Sequence, residues 1–307
     1  MSFFDDPAIH PGFIAANRPR VTAAGLDPAA YERVTAAIGH VRDWPDVLAA
    51  AGAAEPDARQ AALWHHFATI VPSPDITGVS RRAAELMLTA TGGTPVTDDH
   101  PEEGFRGVLR GEGPLVVLVP GMNSSAVEFT GVADELLRHG LSVLAIDGPG
   151  QASAPGRWQP EFERVVTRAM DAVGAATAGV WAMSMGGWLG LRAAAHQPRV
   201  RALVAVSGPA ALDYDAFVPY VAETFDLRTG GRGREFAASV DASSLTLGVP
   251  VRVVEGGRDA IPGVTPLTDF GRRHDGLLVV EEGNHLIEEH RDEWLPQTAA
   301  WLRTAAA

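Results

Sequence analysis

The chain of 307 residues contains no cysteine and no lysine, so all 25 of its basic residues are arginine. Without cysteine there is no disulfide framework, no thiolate metal site, no iron–sulfur cluster and no thiol nucleophile. Without lysine there is no Schiff base to a carbonyl compound or to pyridoxal phosphate, and no phosphate-loop lysine. Long apolar runs are missing too. The longest, at 115–119 and 141–146, are strand-sized, against the roughly 20 residues that span a bilayer. The start, MSFFDDPAIHPGF, has no basic segment leading into an apolar one, so no signal peptide is expected. Acidic side chains outnumber basic ones and the formal charge is −13. That balance argues against nucleic-acid binding and against an anionic membrane surface. The expected setting is the cytoplasm. Any chemistry must draw on Ser, Thr, His, Asp, Glu or Tyr.

Hydrophobic residues make up 46% of the chain, enough for a sizeable core. From residue 115 short apolar runs alternate with amphipathic stretches. The runs are 115–119, 141–146, 179–183, 201–206, 251–256 and 277–282. Continuous apolar runs separated by helical stretches mark a mostly parallel sheet covered on both faces, an α/β architecture. Helices are predicted over 126–139, with Ser124 and Ser125 as cap candidates, and over 160–174, with Pro160 in the first turn. Two more are predicted over 187–196 and 288–304, and an edge strand over 104–111. The first hundred residues read as a helical region that packs on the later sheet, with helices near 28–40, 45–52, 57–70 and 79–90. Residues 101–307 then form the second domain. The long spacing between the runs at 201–206 and 251–256 exceeds one crossover helix. It predicts a helical lid insertion at about 208–247.

The sharpest local pattern is Val180-Trp181-Ala182-Met183-Ser184-Met185-Gly186-Gly187, an apolar strand running into a serine and then into glycines that open a helix. This is the strand–turn–helix arrangement of a G-x-S-x-G nucleophile elbow, with Ala182 in place of the first glycine. The tight turn lifts the serine hydroxyl above the sheet edge. In such elbows an acid and then a histidine follow in chain order. Asp259 comes after the run at 251–256 and His285 after the run at 277–282. Both lie just past the C-terminal ends of strands, where open parallel sheets build their sites. The roles expected are nucleophile for Ser184, general base for His285 and orienting carboxylate for Asp259. An oxyanion hole needs two backbone N–H groups. Met185 follows the nucleophile. Met122, flanked by Gly121 and Asn123, is the candidate in the loop after the first core strand.

With these motifs in place, residues 114–304 resemble the α/β-hydrolase fold. Asp147-Gly148-Pro149-Gly150-Gln151-Ala152-Ser153 is similar to that family's D-x-P-G-x-G-x-S stretch, with Ala152 replacing a glycine. The PGMNSS loop, the DGPGQ stretch and the helical N-terminal region most resemble a particular subgroup. It contains the dihydroxypseudooxynicotine hydrolase and fungal pigment-pathway hydrolases. The resemblance implies an N-terminal helical cap and cleavage of ester or carbon–carbon bonds in ketone-bearing small molecules. It also implies an additional acidic residue, for which Asp215 or Asp213 is the candidate.

Other motifs carry less. Gly148-Pro149-Gly150 has a proline within it and no third glycine, so a dinucleotide site is not expected. Gly231-Arg232-Gly233 reads as a lid turn. His65 and His66 point about 100° apart on a helix and do not share an ion, and His285 and His290 lack zinc-hydrolase spacing. No metal and no cofactor are expected. Candidate pocket residues are Gly121, Asn123, Tyr214, Phe217, Tyr220 and, from the cap, His66. Together with Phe225 and the apolar elbow they suggest an apolar small-molecule substrate. The cap leaves pairing into a homodimer open. The reading is a cofactor-independent serine hydrolase. Two rivals stand beside it: a lyase on the same fold that eliminates an acyloxy group such as acetate, and a non-catalytic binding protein on the same scaffold.

Overall fold

A strand without alternation is stable only where both faces of its sheet are covered. The computed structural model, which describes residues 2–306, places the apolar runs in that setting. Five helices come first: α1 (His10–Ala23), α2 (Pro28–Thr35), α3 (Trp44–Ala54), α4 (Ala58–Ala68) and α5 (Ile76–Thr91). Strands β1 (Thr94–Asp98), β2 (Phe105–Arg110) and β3 (Leu115–Val119) follow. Helices and strands then alternate through α6 (Thr130–Arg138), β4 (Ser142–Asp147), α7 (Glu163–Ala172), β5 (Ala178–Met183), α8 (Met185–His196) and β6 (Val200–Val206). An inserted piece holds β7 (Pro209–Leu212), α9 (Pro219–Thr229) and α10 (Gly233–Ser239). The chain finishes with β8 (Val251–Gly256), β9 (Val264–Pro266), α11 (Thr268–Arg273), β10 (Leu277–Val280) and α12 (Arg291–Ala305).

The eight-stranded sheet has the order β1-β2-β4-β3-β5-β6-β8-β10. The β1–β2 and β2–β4 pairs are antiparallel, whereas β4–β3, β3–β5, β5–β6, β6–β8 and β8–β10 are parallel. Strand order reverses at β3, which opens a crevice at the C-terminal ends of β3 and β5. Val119 pairs with Ala182, so the loops carrying Gly121 and Ser184 leave the sheet side by side. Along β5, Val180 and Ala182 pack on one face with Trp188, Leu189, Val166 and Met170. Trp181 and Met183 pack on the other, with Phe129, Leu136 and Trp294. A third apolar cluster lies among the N-terminal helices around Phe13, Trp44, Trp64 and Phe67. Among the described residues no helix is long and apolar enough to cross a membrane.

Several elements differ from the sequence expectations. Helix α1 was not expected, because Pro19 lies inside it and proline normally breaks a helix interior. The sheet begins before residue 100, since β1 rather than β2 is the edge strand. Helix α6 starts at Thr130 after Phe129, and neither Ser124 nor Ser125 caps it. Their hydroxyls are occupied instead by Arg20 and His66. Helix α7 starts at Glu163, three residues beyond Pro160. The short pair β7–β9, a separate two-stranded sheet, ties the insertion to the segment after β8.

Candidate active site

Ser184 joins β5 to α8 in a conformation that side chains other than glycine rarely adopt, with φ 51° and ψ −128°. Its amide donates to Val206 O at 2.8 Å, and its carbonyl accepts from Gly187 N at 2.7 Å. The turn is therefore fixed at both ends. It is tight because neighbouring backbone crowds it. A Cβ on Gly186 would lie 2.4 Å from Pro120 O, and one on Gly121 would lie 2.8 Å from the Ser184 Cβ. Ala182 fits where a glycine was expected because Gly190 faces it across the helix. A Cβ there would come within 2.7 Å of the Ala182 methyl. Ser184 sits at the N-terminal end of α8 yet makes no capping bond with its side chain.

The hydroxyl instead meets histidine. Ser184 Oγ is 2.8 Å from His285 Nε2, and His285 Nδ1 is 2.8 Å from Asp259 Oδ2. A carboxylate only accepts, so Nδ1 carries the proton and Nε2 accepts from the Ser184 hydroxyl. The histidine loop is itself strained, with φ 67° at Leu286 and 54° at Ile287. The Leu286 amide donates to Ser207 Oγ at 3.0 Å and holds that loop against the end of β6.

Met122 and Met185 both line the cavity beside Ser184. Met185 is the first residue of α8, so its N–H has no acceptor within the helix. The loop bearing Met122 is braced by Gln151, which is wholly buried. Its Nε2 donates to Gly121 O at 2.8 Å, and its Oε1 accepts from Gly148 N at 3.0 Å. This gives the DGPGQ stretch a physical task. Asp147 Oδ1 accepts from Ala126 N at 2.7 Å, and burial pushes its carboxyl up to about 7.

The cavity has a volume of about 400 Å³. Leu212, Phe217, Phe225, Ile261 and Val264 give it an apolar wall. Arg20 from α1, Tyr220 from α9 and Glu288 also line it. Arg20 is held by Glu128, with Nη2 2.6 Å from Oε2, and by Asn123 O at 2.8 Å. Burial works to raise the Glu128 carboxyl, but the Arg20 guanidinium overrides it and holds that group well below the usual carboxylate range. His66 is pulled down from its ordinary value by burial, against its bond to Glu128. Its Nε2 lies 3.1 Å from Glu128 Oε2 and its Nδ1 lies 2.9 Å from the Ser125 hydroxyl.

Comparison with known proteins identifies the fold that carries these residues. A family model for the alpha/beta hydrolase fold matches residues 114–255. Two solved structures superpose with TM-scores of 0.79. One is the 2,6-dihydroxy-pseudo-oxynicotine hydrolase, 19% identical over 94% of this chain and 95% of that one. The other is AbyA5, 21% identical over 98% of this chain and 99% of that one. The chain has the α/β-hydrolase fold. In sequence this α/β-hydrolase-fold chain is 26% identical over 228 residues to the 2,6-dihydropseudooxynicotine hydrolase of Paenarthrobacter nicotinovorans, an alignment covering 67% of the chain and 62% of that protein. It is 36% identical over 117 residues to hydrolase LUC6 of a Fusarium species, covering 33% of the chain and 27% of that protein. Both alignments span less than two thirds of the relative's own length.

Within the α/β-hydrolase fold the expected pocket residues divide. Asn123, Phe217, Tyr220 and Phe225 line the cavity, and Gly121 abuts Ser184. Asp213 and Asp215 are not among the lining residues. Asp213 Oδ1 accepts from Asp215 N in a short turn, and Asp215 is exposed and paired with Arg234. Tyr214 is also turned away, its hydroxyl donating to Asp226 Oδ2 at 2.6 Å and its ring under Arg234. His66 stands behind Glu128 and does not reach the cavity. Trp181 belongs to the core, stacked on Trp294. Arg20, Glu128, Ser207 and Glu288 were not singled out from the sequence. Glu288 lies three residues past His285, a proximity that could have flagged it. Arg20 sits in a helix that its own proline disguises.

Proposed function

We propose that this α/β-hydrolase-fold protein is a serine hydrolase that cleaves an ester, or a carbon–carbon bond next to a carbonyl, in an apolar small molecule. The observation that carries the reading is the unbroken chain of contacts from Ser184 Oγ to His285 Nε2 and from His285 Nδ1 to Asp259, each 2.8 Å long. The similarity to two proteins named as hydrolases supports it.

In this mechanism Ser184 Oγ bonds to the substrate carbonyl carbon as His285 Nε2 takes the hydroxyl proton. The developing oxyanion is met by the N–H groups of Met122 and Met185. Collapse breaks the bond to the leaving group, which takes the proton from His285 and leaves an acyl ester on Ser184. Water then attacks with the same base, releasing the acid and restoring the serine. Asp259 holds the imidazole in the tautomer that accepts from serine and stabilises its cationic form. Arginine is the only other source of fixed positive charge in a chain without lysine.

Replacing Ser184 with Ala should lower kcat on a p-nitrophenyl alkanoate by about 10⁴-fold or more. Asp259→Asn should cost about 10⁴-fold through the wrong tautomer. Full activity in the Ser184→Ala protein would overturn the reading. In ¹⁸O-labelled water, turnover of the true substrate should place one solvent oxygen in the released acid. An acid formed without label would point to elimination instead.

A further inference from the structure

Gly121 O and the Met122 N–H belong to one peptide group. That peptide is trans, as no cis bond occurs among the described residues, so its carbonyl and its N–H point in opposite directions. Whatever grips the carbonyl therefore aims the N–H. The grip comes from Gln151, whose Nε2 donates to Gly121 O at 2.8 Å. Ser124 N approaches the same oxygen only at 3.4 Å. The Met122 N–H itself has no backbone acceptor among the described residues, and Met122 lines the cavity that holds Ser184 and His285. A Cβ on Gly121 would lie 3.4 Å from Ser184 Oγ, so this peptide borders the serine hydroxyl.

Gln151 is itself held so that it cannot turn. Its backbone N–H donates to Gly148 O at 3.0 Å, and its carbonyl accepts from Ala154 N at 2.8 Å. Its Oε1 accepts from Gly148 N at 3.0 Å. A backbone N–H only donates and a carbonyl only accepts, so one orientation of the side-chain amide suits both of its partners. The backbone on either side lies in the left-handed region, with φ 74° at Gly150 and 45° at Ala152. An alanine keeps such a conformation only where its surroundings impose it. Arg228 of α9 adds a further hold, its Nη1 donating to Gly150 O at 2.7 Å.

We infer that Gln151 is a positioning residue that aims the Met122 N–H at the oxyanion formed from the substrate carbonyl. Gln151 does not line the cavity and acts through the Gly121 carbonyl. The inference rests on the serine-hydrolase reading, in which Met122 and Met185 supply the two donors. An N–H···O bond weakens steeply as its angle falls toward about 120°, and losing one oxyanion donor costs about 10²–10³-fold in kcat. The geometry demands a neutral donor at position 151. An apolar side chain would release the peptide, and a carboxylate would repel Gly121 O.

Two variants and one wild-type measurement test this role, with a p-nitrophenyl alkanoate as substrate. Gln151→Met should lower kcat by about 10²-fold or more and leave KM within about threefold. Gln151→Glu has a donor only while protonated, and burial raises the pKa of such a carboxyl. Its kcat, divided by that of the wild-type protein at the same pH, should fall from close to one near pH 5.5 to about a hundredth near pH 8.5. A residue needed for packing alone gives a ratio that does not change with pH. The chain has six methionines, so ¹⁵N-methionine labelling resolves the Met122 amide. In the wild-type protein its proton should move downfield when a trifluoromethyl ketone adds to Ser184. The inference is overturned by a pH-independent ratio for Gln151→Glu, by a Gln151→Met protein with kcat within about threefold of wild type, or by an unmoved Met122 amide in the formed adduct. Each of these leaves the hydrolase reading standing. Failure of that reading looks different: neither the ester nor the trifluoromethyl ketone reacts at Ser184, and the role of Gln151 falls with it.

Discussion

Gly121 and Ser207 position Ser184 and the His285 loop without belonging to the proposed triad. The position of Gly121 has no room for a methyl group, since a Cβ there would lie 2.8 Å from the Ser184 Cβ and 3.3 Å from Met183 O. Gly121→Ala should therefore displace Ser184, the proposed nucleophile, or the Met122 amide by a fraction of an ångström. A loss of about 100-fold in kcat is expected, with an unchanged circular dichroism spectrum; steady-state kinetics on a p-nitrophenyl ester reads it. Ser207→Ala removes the acceptor for the Leu286 amide. A strained loop then carries a buried N–H without a partner. The expected result is a fall of about tenfold in kcat with little change in KM. Ala182 makes the complementary point about sequence patterns. A departure from the elbow motif is harmless here because Gly190 gives way on the facing helix.

Helix α1 is the element that the sequence hides and that lines the cavity through Ala16, Pro19 and Arg20. It reaches the sheet-bearing half of the chain through Arg20, which pairs with Glu128, a carboxylate that is 1% exposed. Breaking one side of a buried pair is costly because the other charge stays buried. Arg20→Met should lower stability by about 3–5 kcal/mol in urea denaturation. The double variant Arg20→Met/Glu128→Leu should recover much of that loss, because no unpaired charge remains. Equal losses in the single and double variants would show that α1 is held by apolar contacts alone. The predicted strands and helices of the second half matched well because their periodicity is set by burial, a property local to each segment. The caps at Ser124 and Ser125 failed because those hydroxyls serve partners far away in sequence, Arg20 and His66.

At the scale of the whole molecule, several carboxyls are buried with too few donors. Burial pushes Asp147 and Glu288 up to about 7. Burial, and then the charge of Asp259, push Glu255 up to about 8. In the unfolded chain these groups ionise at ordinary carboxylate values. Between pH 6.5 and 8 the folded state therefore binds more protons than the unfolded state, and stability falls as pH rises. His65 and His66, pulled down by burial, work in the opposite direction only below about pH 6.5. Over pH 6.5–8 the net loss should be on the order of 2 kcal/mol, read from denaturation midpoints. Asp147→Asn should flatten the slope. A stability that rises across this window would contradict the burial of these carboxyls.

The sequence by itself determined the layered α/β architecture, the elbow at Ser184 and the order in which an acid and a histidine follow. Each of these is written in local patterns: apolar periodicity, small residues at a tight turn, polar residues at strand ends. Only the tertiary structure decided which polar groups share the cavity. It brought in Arg20 and Glu288, put Asp213, Asp215 and Tyr214 outside, and placed His66 behind Glu128. Those outcomes depend on how the N-terminal helices and the insertion dock on the sheet. Long-range ion pairs and packing set that docking, and they leave no periodic trace in the chain.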